Sequence, residues 1–284
     1  MSTTKRIPAE RSEETGRWLR THRAIGTVHS VFSKSVNLLF GNEMLSILAL
    51  PALREPMSIR LSLPVDFTRL EIAAGDAARI DGETITIGEY PASVDMRETW
   101  SETLRVTAPA APEKIAEACA LLRRKIRESG RTEGMAQVFD PDDASRKKLL
   151  YGQRVAALLA AETEPEKLAA FEGLTGLGIG LTPSGDDFLT GYMRTEQIFH
   201  PSEDFRPYVD AIAHLTNPIS VKELRAAADG RMADEVNRLL FHLLDAGGRL
   251  ALAEKSADAV MCCGSTSGTD LLCGILASLE KAGK

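Results

Sequence analysis

Residues 176–187 read GLGIGLTPSGDD. Gly176, Gly178 and Gly180 alternate ahead of Thr182, Ser184, Gly185, Asp186 and Asp187. A run of glycines leaves backbone N–H groups bare and lets a ligand approach the chain closely. A helix that starts at its end adds free N–H donors and a positive dipole, the makings of an anion or amide site. The segment lacks the Gly-Lys-Ser/Thr of a phosphate-binding P-loop. Its GxGxG spacing, following a helical stretch, does not fit a dinucleotide fingerprint either.

The pattern recurs. Ser184-Gly185-Asp186-Asp187-Phe188-Leu189-Thr190-Gly191 is echoed 83 residues later by Ser267-Gly268-Thr269-Asp270-Leu271-Leu272-Cys273-Gly274. The shared core is SGxD followed by glycine four residues on. One explanation is purely structural. Serine followed three residues later by aspartate resembles a capping box, and an acid there suits the helix dipole. Gly191 and Gly274 would then permit a close helix crossing, since glycine inside a helix otherwise costs about 1 kcal/mol against alanine. The excess glycines and the second carboxylate, Asp186, exceed what a cap requires. The doubled motif suggests two equivalent helix starts facing a common centre.

Acids beside an anion site repel the anion. Three resolutions are physically open: a Mg²⁺ ion bridging carboxylate and ligand, carboxylates that accept hydrogen bonds from a ligand amide, or carboxylates consumed by capping and by a neighbouring Lys or Arg. Asp186, Asp187 and Asp270 are the candidate catalytic residues. Gly178, Gly180, Thr182, Ser184, Gly185, Ser267 and Gly268 are the candidate ligand-binding ones.

A third polar segment is Val28-His29-Ser30-Val31-Phe32-Ser33-Lys34-Ser35-Val36-Asn37. On an unbroken strand, alternation places His29, Val31, Ser33 and Ser35 on one face. His29, Ser30, Lys34 and Asn37 join the candidate binding set, with Lys34 able to supply the positive charge that the acidic loop lacks. A lone histidine is more often structural than catalytic. Asn217-Pro218-Ile219-Ser220 reads as a further helix start. His200, His214 and His242 show no metal-ligand spacing.

Two different textures must position these groups. Before residue 110 the chain reads as short strands: Ala24–Phe32, Leu45–Leu50, Met57–Leu63, Phe67–Ala73 and the Asp-Gly hairpin of Arg79–Ile87. Thr107–Pro112 reads as a linker. Beyond it, helical spacing predicts helices over Glu113–Glu128, Ala144–Ala161, Glu166–Glu172, Asp187–Ile198, Phe205–Leu215, Ile219–Ala228, Met232–Leu244, Arg249–Ala257 and Thr269–Lys281. The expected fold is α+β. A small β-barrel or sandwich with a short N-terminal helix occupies 1–110, and an all-helical domain carrying the glycine loop occupies 111–284.

Composition bounds the rest. The 284 residues are 44% hydrophobic and 26% charged, with a net charge of −6. That balance offers nucleic acid no basic footprint. No apolar stretch approaches the roughly 20 residues of a membrane span, and the N-terminus has no signal-like apolar core. Cys119, Cys262, Cys263 and Cys273 form neither a disulfide framework nor a paired zinc motif. A cytoplasmic protein is expected.

The motif GLGIGLTPSGDDFLTG, with HSVFSKSVN at 29–37, TNPIS at 216–220 and GSTSGTD at 264–270, resembles a bacterial family that includes the AllH subunit associated with oxamate carbamoyltransferase. Two positions depart from its pattern: Ser265 stands where a histidine is usual, and Ile179 where proline is common. The resemblance covers most of the chain. It implies a role in purine or allantoin nitrogen catabolism, in phosphorolysis of a carbamoylated oxamate to oxamate and carbamoyl phosphate, alongside partner subunits. On that expectation a small carboxylate, amide or phosphate ligand sits at the paired SGxD helix starts. Two alternatives stand beside it: a Mg²⁺-dependent hydrolase on a helical scaffold, and a non-catalytic accessory subunit.

Overall fold

Alternation builds the first half. In the strands β6 (Ala77–Asp81) and β7 (Thr84–Ile87), Ala78, Ile80, Ile85 and Ile87 are buried while the residues between them are not. Gly82, at φ 56°, stands in the loop between the paired Asp81 and Thr84, where a tight hairpin needs positive φ. These features come from a computed structural model that describes residues 6–21, 24–139 and 146–283.

The remaining strands are β1 (Ile7–Ser12), β2 (Ala24–Val31), β3 (Ser35–Phe40), β4 (Glu43–Ala49), β5 (Ser58–Leu61) and β8 (Tyr90–Trp100), with helix α1 (Glu13–Thr21) after β1. They close into a barrel in the order β1-β5-β4-β3-β2-β6-β7-β8. The β1–β8 and β4–β5 pairs are parallel, and the other neighbours are antiparallel. A barrel, not a sandwich, is therefore the form taken. Closure leaves no unpaired edge, and Val36, Leu38, Leu45, Ile47, Ile59 and Val94 fill the interior.

Three expectations fail locally. Phe67–Ala73 is not a strand: Phe67–Arg69 makes a 3-10 turn, with the Asp66 carboxylate accepting from the Thr68 N–H and Phe67 buried. The β1 and β8 strands escape a periodicity reading because β1 buries only Ala9 and Ser12, and β8 only Val94 and Trp100. The 29–35 segment is not one unbroken strand. It turns at Phe32–Lys34 between β2 and β3, where the Phe32 N–H donates to the Ser35 carbonyl (2.8 Å). A bulge at His29 also interrupts the β2–β3 register, so the predicted common face does not form.

The second half is helical: α2 (Pro112–Ser129), α3 (Ala136–Phe139), α4 (Arg146–Ala160), α5 (Glu164–Leu174), α6 (Ser184–Phe199), α7 (Arg206–Ile212), α8 (Pro218–Ala228), α9 (Asp234–Leu244), α10 (Leu250–Met261) and α11 (Ser267–Ala282). Residues 144–145 of the predicted Ala144–Ala161 helix lie outside the described residues. The helices α6 and α11 form the centre, with every residue from Ser184 to Glu196 buried. Together these elements make an α+β chain of two compact units, Met1–Glu102 and Thr103–Lys284. The Thr107–Pro112 segment lies in the second unit, where the Asp245 carboxylate accepts from the N–H groups of Thr107 and Ala108. No described helix is long and apolar enough to cross a membrane. The cysteines are all free thiols.

Candidate functional site

The helix α5 is launched by a complete capping box, Thr163 with Glu166, and ends at Thr175. The chain then reverses through the glycines to start α6. Gly176, Gly178 and Gly180 all have positive φ, 71°, 114° and 111°. Space adds a second constraint at the first two. A Cβ on Gly176 would lie 2.7 Å from the Leu215 carbonyl oxygen, and one on Gly178 would lie 2.8 Å from the Ser184 nitrogen. Gly180 is exposed, and a Cβ there would make only ordinary contact with the Thr182 carbonyl at 3.7 Å, so conformation alone requires glycine.

The loop is tied down from two sides. The Gly176 N–H donates to Asp186 Oδ1 (2.7 Å), and the Thr216 hydroxyl donates to Asp186 Oδ2 (2.5 Å). Asn217 caps α8 by accepting from the N–H groups of Ile219 and Ser220, while its Nδ2 donates to the Leu181 carbonyl (2.7 Å). Asp186 is thus the loop's tether, which accounts for the carboxylate that capping left over.

The predicted capping boxes do not form. Pro183 is the N-cap of α6 and Thr266 that of α11, and neither helix has a side-chain cap. The two SGxD segments are instead built to the same plan as each other. A Cβ on Gly185 would lie 1.9 Å from the Leu174 carbonyl, and one on Gly268 would lie 1.9 Å from the Val260 carbonyl. Each glycine lets its helix start tuck against the end of the helix before it, α5 or α10.

The two starts lie side by side. Thr182 Oγ1 and Ser267 Oγ are hydrogen-bonded at 2.8 Å. Ser267 and Thr182 present hydroxyls to Asp187, and Ser184 and Thr266 present theirs to Asp270. The pairings Ser267–Asp187 and Ser184–Asp270 are reciprocal across the repeat. Farther along, Gly191 packs on the Leu271 carbonyl, Gly274 on the Phe188 carbonyl, and the Ser278 hydroxyl donates to Glu196 (2.7 Å). Contacts that advance together along both helices mean that α6 and α11 run parallel, with both positive dipole ends at the same place.

Burial dominates the electrostatics there. Asp187 is 3% exposed and Asp270 0%. Burial pushes the Asp187 carboxyl well above the usual carboxylate range, reinforced by Glu223 and Asp270. Burial raises Asp270 to about 6, against the Met135 N–H and the Ser184 and Thr266 hydroxyls. Asp186 is raised by burial too, opposed by Thr216, Gly176 and Ser220. Oδ2 of Asp187 and Oδ2 of Asp270 are buried with no hydrogen-bond partner. Asp270 Oδ1 accepts from the Met135 N–H at 2.5 Å. Nothing in the sequence marks Gly134-Met135, a turn with no motif, as part of this centre. Glu223 is likewise a contribution that local pattern does not reveal, whereas Thr216 opens the TNPIS segment that carries the family resemblance.

The polar segment of the barrel forms a hydrogen-bonded network. The Asn37 amide donates to Ser30 Oγ (3.0 Å) and accepts from the Ser46 hydroxyl (2.7 Å), with His29 Nδ1 3.1 Å from Ser30 Oγ. Asn37 is buried, His29 and Ser30 are half-buried, and Lys34 is exposed. Among the described residues, no group of three or more His, Cys, Asp or Glu side chains is arranged to hold a metal ion. A separate cavity of about 210 Å³ adjoins the other ends of α6 and α11. Its wall includes Phe171 and Tyr192 and two ion pairs, Lys281–Glu196 and Lys167–Glu203.

Comparison with known proteins follows the same division. The family described as oxamate carbamoyltransferase subunit AllH matches residues 174–279, a span holding both helix starts. The AllH family N-terminal domain matches residues 8–103, the barrel. No solved structure matches the chain. Matched over both halves and most of its length, the chain belongs to the AllH family.

Proposed function

We propose that this chain is a subunit of an oxamate carbamoyltransferase-type enzyme serving purine or allantoin nitrogen catabolism, and that its ligand binds at the paired helix starts of α6 and α11. The family assignment supports the enzyme class. The observation that carries the site is the reciprocal pair Asp187 and Asp270, each buried with an unpartnered Oδ2 beside two helix starts that have no side-chain cap. Native proteins rarely leave such atoms unpaired without a use for them.

The chemistry suits the geometry. In phosphorolysis, a phosphate oxygen attacks the carbamoyl carbon, the carbon–nitrogen bond to oxamate breaks, and the departing nitrogen takes a proton. Negative charge that develops on the carbamoyl oxygen needs fixed donors in a dry site. Backbone N–H groups of Gly178–Thr182 and Gly264–Ser267, with the Thr182, Ser184 and Ser267 hydroxyls, are the donor set in this reading; the Gly185 and Gly268 N–H groups are already given to the Leu177 and Cys263 carbonyls. Asp187 and Asp270 orient the ligand's carboxylate or amide. A Mg²⁺ hydrolase using Asp186, Asp187 and Asp270 together is disfavoured, because Asp186 is spent on Gly176 and Thr216.

A non-catalytic docking role has one observation in its favour. Ile179 is 79% exposed, and Leu181 and Leu215 are exposed beside it. One assay separates the two readings. The chain is purified with and without its partner subunits, and carbamoyl phosphate formation is followed for wild type and Asp187→Ala. Loss of activity in a folded, assembled Asp187→Ala complex supports the proposal; full activity overturns it.

A further inference from the structure

The acid–anion conflict at the helix starts has a resolution in the hydrogen-bond inventory. Asp187 and Asp270 form no ion pair among the described residues. The groups that face Asp187 are the Ser267 hydroxyl from α11, the Thr182 hydroxyl from the glycine loop, the Glu223 carboxylate from α8 and Asp270 itself. Those that face Asp270 are the Ser184 hydroxyl from α6, the Thr266 hydroxyl, the Met135 N–H, Tyr151 from α4 and Cys273 from its own helix. None of these is a cation. An ionised carboxylate stripped of water and without a counter-ion is strongly disfavoured against its neutral form.

Each carboxyl is also used on one side only. Donors reach Asp270 through Oδ1, from Met135, while Oδ2 is buried and bare. Asp187 repeats the arrangement across the pseudo-symmetry, with its own bare Oδ2. A bare carboxyl oxygen beside a helix N-terminus is well placed to carry a proton and to point that O–H at a ligand acceptor. The dipole, which would otherwise favour an ionised aspartate, then favours the ligand's charge.

We infer that Asp187 and Asp270 meet the ligand as neutral carboxylic acids, each donating a hydrogen bond from Oδ2 to an anionic, carboxylate-bearing ligand, so that binding takes up a proton from solvent. This rests on the proposed site above. It specifies the ligand class as a small anion rather than a neutral amide or a metal complex. A carboxylic acid held neutral by its surroundings is an effective donor to a developing or resident negative charge. The two acids titrate as a coupled pair. Burial, with Glu223 and Asp270 close by, pushes Asp187 well above the usual carboxylate range, while Asp270 is raised to about 6. Anion binding above that pH therefore restores the proton to Asp270.

The test is calorimetric titration of oxamate into the full chain, alone and assembled with its partner subunits, at pH 5 and pH 8, in two buffers of different ionisation heat. The expected result is uptake of about one proton per ligand at pH 8 and close to none at pH 5. Asp270→Asn and Asp187→Asn keep an N–H donor in the same place and retain affinity within about fivefold, whereas the alanine variants lose tenfold or more. Asp270→Asn also abolishes the uptake. Binding with no uptake at pH 8, or asparagine variants as impaired as the alanine ones, overturns the inference and leaves the proposed site standing. Absence of oxamate binding at either pH overturns the site itself. Proton counting needs only the wild-type protein, so a variant that fails to fold does not block the test.

Discussion

Gly191 and Gly274 hold reciprocal positions. A Cβ on Gly191 would lie 2.2 Å from the Leu271 carbonyl oxygen, and one on Gly274 would lie 2.0 Å from the Phe188 carbonyl oxygen. Each glycine lies four residues past the aspartate of its own motif and packs on the backbone of the other helix. Gly191→Ala and Gly274→Ala should each destabilise the helical unit by about 1–3 kcal/mol, through forced separation of two close-packed backbones. Thermal unfolding should show each Tm falling by roughly 3–10 °C. Because both changes act on one contact, the double variant should lose less than the sum. Unchanged Tm in both single variants would remove the crossing as the basis for the paired helix starts.

Asp186 and Asp187 are neighbours with different work. Asp186 accepts from the Gly176 N–H and the Thr216 hydroxyl. Its loss leaves those half-buried donors without this partner, so Asp186→Ala should cost about 1–3 kcal/mol and speed proteolysis within residues 176–182. Asp187 is a buried acid faced by the Ser267 and Thr182 hydroxyls and by Glu223 and Asp270, with an unpartnered Oδ2. Asp187→Ala should leave stability level or slightly higher, while carbamoyl transfer in the assembled enzyme falls about 100-fold or more. Equal stability losses in both variants would contradict the division of roles.

The pH dependence of stability has a defined sign. Asp270 is raised from 3.8 to about 6, so the folded protein binds more protons than the unfolded chain between those values. Its contribution therefore declines as pH rises from about 4 to about 6 and stays reduced above, by about 3 kcal/mol. Asp245 works the other way. The N–H groups of Thr107 and Gly247 lower it to about 2, so its contribution is present above pH 4 and is lost as pH falls toward 2. Denaturant titrations across pH 2–8 should show Asp270→Asn flattening the decline above pH 4. Asp245→Asn should flatten the decline on the acid side. A wild-type curve that rises steadily from pH 4 to pH 7 would contradict the Asp270 assignment.

In the barrel, Asn37 is the hub. It donates to Ser30 and accepts from Ser46 while buried. Asn37→Ala removes both of these bonds from a buried position and should cost about 1–3 kcal/mol. Lys34 is exposed, and its replacement by alanine should leave stability within about 0.5 kcal/mol. Guanidinium unfolding of the two variants compares them directly.

Much of the architecture was legible from residue order. Alternation in Arg79–Ile87 and helical spacing after residue 112 follow from the side-chain periods of strand and helix, which any half-buried element must obey. Where β1 and β8 bury only two residues each, the period is lost and the strand is invisible. Phe67 misled for a related reason: it is buried, but Asp66 holds its backbone in a 3-10 turn. The bulge at His29 depends on a partner strand, so an isolated segment carries no sign of it.

The residues of GLGIGLTPSGDD and its echo at Ser267–Gly274 were marked by sequence alone, because positive φ and close approach demand glycine wherever the tertiary structure puts them. Their roles were not. Serine and aspartate at that spacing fit a capping box equally well, since a cap is decided by side-chain rotamers and not by composition. Only the parallel packing of α6 on α11 turned Ser184 toward Asp270 and Ser267 toward Asp187. Only burial in that packing, which removes water and pairs neither acid with a cation among the described residues, left two acids with bare oxygens at the helix starts.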